Sequence, residues 1–184
     1  MLKTYPELVE LYEKLNKPIK QFSALTNSKI MPNTYQSLIE NCLDEEHNVA
    51  ALDLLESFQN EYYYPPKHHI RRMMDIIVNP PADKDKDVSF KSYKILQHVL
   101  YSTGSSAFEN IWNFEKVCSE QEDVWPIGYN NFWAFIKDKF MLSTQITNDD
   151  QSTRILLLLE QIVSVFEVDM QIKQVSLFYT ITSN

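Results

Sequence analysis

Glycine is nearly missing, with two in 184 residues. A phosphate-binding loop, a dinucleotide fingerprint or a series of tight hairpins each needs several backbone positions at positive φ, so most nucleotide enzymes and sandwich folds are excluded. Cysteine is equally scarce. Cys42 and Cys118 stand apart, with no CxxC and no metal-type spacing, so no disulfide framework is expected and the compartment is expected to be reducing and intracellular. No apolar run approaches the ~20 residues that span a bilayer, and the start of the chain has no charged segment followed by an apolar one. The expectation is a protein of the cytoplasm or nucleus, neither secreted nor transmembrane. Positive charge is also in deficit. The 17 Lys and Arg against 25 Asp and Glu leave a formal net charge of -8 and a pI near 5.0, which works against generic nucleic-acid affinity.

What the chain does have is apolar residues, 44% of the total, spread along its whole length. That is enough to build the core of one globular domain, or of two small ones, and wholesale disorder is excluded. Spacing at i, i+3, i+4 and i+7 recurs in separate segments. The first carries Leu8, Leu11, Tyr12 and Leu15, with Thr4 and Glu7 at capping-box spacing, and a short second carries Ile19, Phe22 and Leu25. A third has Tyr35, Leu38, Ile39 and Cys42 on one face, a fourth Ala51, Leu54, Leu55 and Phe58, and a fifth Ile70, Met73, Met74 and Ile77. Residues 79–87, with paired prolines and alternating Asp and Lys, read as an exposed loop. Further helices carry Phe90, Tyr93, Leu96, Val99 and Leu100, then Phe108, Ile111 and Trp112, then Phe132, Trp133, Ile136 and Phe140. Between the last two, residues 119–129, with Trp125-Pro126, read as a structured surface turn.

The final long helix, capped by Asn148, Asp149 or Asp150, has a stripe of Ile155, Leu158, Leu159, Ile162 and Phe166. It is apolar almost all round over 153–166, so a second subunit or another segment of a longer parent protein is expected to cover part of it, with Leu157 and Val165 facing outward. Residues 175–182 favour strand by composition but have no second strand to pair with, and are taken as a helix end. The predicted fold is all-α: antiparallel helical hairpins stacked into a short irregular solenoid or bundle. It occupies 1–184 as a single domain, and any division into two would fall in the loop at 79–88.

Residues 32–66 hold one unit that stands out. Thr34-Tyr35, Leu38-Ile39, Ala51, Leu54-Leu55, Phe58 and Pro65 fall where a pentatricopeptide repeat, a helix-turn-helix unit of about 35 residues, places such types, and the segment resembles that family. The small Ala51 would let its two helices approach closely. Neighbouring copies are degraded: Phe90 follows Tyr35 by 55 residues, which is not a whole number of units. The resemblance implies either a packing unit of helical hairpins or an RNA reader. In the family, bases are read by a polar residue near the start of the first helix and by the last residue of the unit, here Gln36 and Pro66. A proline side chain has no donor or acceptor with which to complete such a pair.

The dense basic cluster, Lys67, His68, His69, Arg71 and Arg72, opens the fifth helix, where cations oppose the helix dipole. It suits a phosphate or an acidic peptide, or else is a solvated face beside Asp44, Glu45 and Glu46. No metal site is expected, because adjacent histidines diverge on a helix and no carboxylate or Cys completes a set at a useful spacing. No catalytic motif is present, and no catalytic, cofactor or metal residue is assigned. The loop aromatics Tyr62, Tyr63 and Trp125 are candidate binding anchors. The functional expectation is an adaptor that binds a protein or a second copy of itself through Tyr62, Tyr63, Lys67, His68, Arg71, Arg72, Trp125, Leu157 and Val165. Single-stranded RNA binding is the alternative.

Overall fold

A computed structural model describes residues 28–60, 62–80, 86–109, 111, 132–145 and 149–182. The helices expected before residue 28, Trp112, and the turn carrying Trp125 lie outside the described residues. Six helices are present among them: α1 (Asn33–Asp44), α2 (Asn48–Phe58), α3 (Lys67–Val78), α4 (Lys86–Thr103), α5 (Phe132–Gln145) and α6 (Asp149–Thr182). A 3₁₀ turn, Gly104–Phe108, follows α4, and two short strands, β1 (Lys29–Ile30) and β2 (Tyr63–Tyr64), pair in parallel. The fold is all-α, built from packed helix pairs.

The α1–α2 link is short because α1 ends on a Schellman turn. The Glu46 N–H donates to the Leu43 carbonyl and the His47 N–H to the Cys42 carbonyl at 2.8 Å, which satisfies the carbonyls left over at the helix end. Glu46 holds the left-handed position at φ 60°, a place where glycine is usual. Its carbonyl accepts from the Asn48 side chain, which opens α2. α1 packs against α2, where Tyr35 stacks on Phe58 with ring centroids 4.2 Å apart. Only Ile39 and Leu43 of α1 are fully buried, while the expected face members Tyr35 and Leu38 are exposed. A helix packed mainly on one neighbour needs a narrower apolar stripe than the spacing suggested.

The core lies where α3, α4 and α6 meet. Ile70, Met73, Met74 and Ile77 face Leu96, Val99 and Leu100, with Leu158, Ile162, Phe108 and Phe135 completing the cluster. Each side chain of that size contributes about 1.5–3 kcal/mol on burial. α3 and α4 pack extensively on each other across the proline-containing link. Two polar pairings cross elements inside: Ser89 donates to the Ile76 carbonyl at 3.3 Å, and the Gln97 amide donates to Gln161 at 2.8 Å. Gly104, at φ 69°, turns the chain out of α4, and a Cβ there would lie 3.2 Å from the Ile172 side chain.

Two placements were not legible from the sequence pattern. The strand pair joins Lys29 and Ile30 to Tyr63 and Tyr64, whereas no strand was expected. On α5, Phe135 is buried and Trp133 and Phe140 are exposed, so the inward face is not the one the spacing suggested. The segment 175–182 continues α6 as helix through Thr182.

Candidate functional site

Among the described residues, α5 and α6 carry a run of exposed apolar side chains. On α6 these are Leu156, Val163, Phe166 and Met170, whose intervals of seven, three and four residues place them on one helix face. On α5, Trp133 and Phe140, also seven apart, are exposed together with Met141. The two helices pack on each other.

The expected orientation of α6 needs correction. Val165, expected to face outward, is 4% exposed and belongs to the core, and Leu157 is half-buried against that core. Phe166, expected inside, is exposed, and Val163 is 53% exposed. The reason is Gln161. It is fully buried, held by Gln97, and with Ile155, Leu158, Ile162, Val165 and Val168 defines the inward face. A glutamine reads as a surface residue; with Gln161 inside, the inward face runs on to Val165 rather than Phe166, while Ile155, Leu158 and Ile162 are buried as expected.

Of the loop aromatics expected as binding anchors, Tyr62 is available at the surface and Tyr63 is not fully so. Tyr62 is 67% exposed, while Tyr63 and Tyr64 are half-buried against the core. Asn60 orders the turn by accepting from the Tyr62 and Tyr63 N–H groups through its side-chain oxygen. Within the repeat-like unit, the Gln36 amide donates to the Met31 carbonyl at 2.6 Å and Pro66 is buried at the cap of α3.

At the start of α3 the basic residues do not form one patch. Lys67 and His68 are exposed, Arg72 pairs with Asp75 at 3.8 Å, and Arg71 is half-buried with its Nε lacking a hydrogen-bond partner. His69 is 1% exposed. Burial, with a smaller effect of His68, lowers its pKa to about 3, so the ring is neutral at pH 7. Neither ring nitrogen has a hydrogen-bond partner. Glu40 on α1 comes to this pair, with one ligand-type atom from each of Glu40, His68 and His69 lying within 4.8 Å of the others. The missing carboxylate thus arrives from another helix, which spacing along α3 could not reveal.

Two ionic contacts connect elements near the core. Lys91 of α4 holds Asp53 and Glu56 of α2, the latter at 3.3 Å, and these carboxylates raise its pKa. Burial raises Glu160 on α6 above the usual carboxylate range, and hydrogen bonding from the Tyr93 hydroxyl works in the opposite direction. Among the described residues, no helix is long and apolar enough to cross a membrane.

Compared with known proteins, the chain matches no family model, no curated protein and no solved structure.

Proposed function

We propose that this chain is a helical interaction domain, an adaptor whose α5–α6 surface docks on a protein. The observation that carries this reading is the row Leu156, Val163, Phe166 and Met170 left outside on α6. Contiguous apolar surface of this kind is uncommon on a monomer without a partner, and the unbranched methionine can adapt to one. The helical-hairpin architecture supports the reading, because such arrays present helix faces as binding surfaces. Two features weigh against RNA reading by the repeat-like unit. Pro66 is buried, and the Gln36 amide is spent on the backbone.

The test is capture of bound protein by the tagged chain and its variants. Leu156→Glu and Val163→Glu should keep the parent's circular dichroism and thermal midpoint while losing the protein that the parent retains. Ser37→Glu, on the exposed side of α1, should retain it. In parallel, fluorescence anisotropy with mixed-sequence single-stranded RNA should show no tight binding. Salt-sensitive RNA binding abolished by substituting Lys67, Arg71 and Arg72 would overturn the reading.

A further inference from the structure

We propose that Glu40, His68 and His69 form a binding site for a divalent transition-metal ion, with buried His69 as its anchor and exposed Glu40 and His68 closing over it. Three observations converge on the same place. First, an imidazole–imidazole–carboxylate set is one that zinc and its first-row neighbours take, and the three ligand-type atoms already lie within 4.8 Å of one another. Second, the ring of His69 is 1% exposed, and neither of its nitrogens has a hydrogen-bond partner. An unpaired polar atom in the interior is costly, and metal coordination gives one of the two nitrogens a strong partner. Third, the rings of His68 and His69 meet edge to face, with centroids 4.3 Å apart and planes at 67°. Adjacent histidines in the first turn of α3 therefore converge here despite their spacing in the sequence.

The movement required is small. A tetrahedral ion with bonds of about 2.0–2.2 Å holds its ligand atoms about 3.3 Å apart. His69 is fixed by packing, while Glu40 and His68 are exposed and can close the remaining distance by side-chain rotation. Three protein ligands leave a fourth position for water on the exposed side. The positive end of the α3 dipole and the cations Lys67 and Arg71 in its first turns oppose the ion and weaken its binding. The ion would join α1 to α3, a pair outside the main helix contacts. It would thereby add a tie at α1 to a hairpin whose α2 already packs on α4.

The experiment uses the whole chain stripped of metal with a chelator and titrated with Zn²⁺ by calorimetry, and with Co²⁺ by its visible absorption, at pH 7.5. One equivalent of Zn²⁺ is expected, and Co²⁺ is expected to give the intense bands of tetrahedral coordination. Glu40→Gln and His68→Ala, both on exposed side chains that leave the circular dichroism unchanged, should each weaken that equivalent at least tenfold. His69→Leu should abolish it. The thermal midpoint of the parent should rise with Zn²⁺, and that of Glu40→Gln should not. No saturable binding up to about 1 mM Zn²⁺ would overturn the proposal. So would one-equivalent binding that persists unweakened in either Glu40→Gln or His68→Ala, because the ion would then be held by other carboxylates of this acidic chain.

Discussion

Glu46 illustrates what scarcity of glycine costs. A Schellman turn wants a residue at positive φ, and with two glycines in the chain that place is filled by a glutamate at φ 60°. The left-handed conformation is unfavourable for a residue with a Cβ, and only part of the gain from glycine is offset by the greater freedom of the unfolded chain. Glu46→Gly is therefore expected to stabilise the fold by about 1 kcal/mol. In urea unfolding this would appear as a higher midpoint at unchanged slope. A lower midpoint would show that the Glu46 side chain supplies more than the backbone strain removes. The turn itself was legible in the sequence as a short link between two helices. Its strained residue was not, because glutamate carries no signal for positive φ.

At the scale of elements, the inward face of α3 was legible although buried His69 lies on it, whereas that of α6 was legible only in part. The four apolar positions expected on α3, Ile70, Met73, Met74 and Ile77, are all buried, because α3 has a core on one side and solvent on the other. On α6 Ile155, Leu158 and Ile162 are buried as expected, while Val165 and Phe166 exchange sides beside the buried Gln161. The strand pair was invisible because two-residue strands from distant parts of the chain leave no alternation to detect. The α4–α6 contact contains a further group that behaves against its type. Glu160 is pushed upward by burial, so its protonated form is favoured in the folded state. That contribution to stability is complete below the ordinary value of 4.5 and is lost as pH rises through the raised folded-state value. Glu160→Gln, which keeps the shape and removes the charge, should be more stable than the parent at pH 7. The difference in thermal midpoint should open as pH rises above 4.5 and close below it. A difference independent of pH would show that the charge is not the cause.

For the molecule as a whole, composition and periodicity were enough to reach the all-α class, because apolar spacing is a local property. The candidate sites needed the third dimension. Glu40 and His68 are 28 positions apart in the sequence and meet only through the packing of their helices, and the outward row on α6 is defined by which face the core has taken. The central claim is that this row is covered by a protein when the domain works. It is tested most directly by placing a photo-crosslinking amino acid at Leu156 or Val163 in cells, with Ser37 as control. The account predicts a discrete protein adduct from positions 156 and 163, whether with a different protein or a second copy of this chain, and none from position 37. No adduct from either α6 position, or an adduct with nucleic acid in its place, would contradict it.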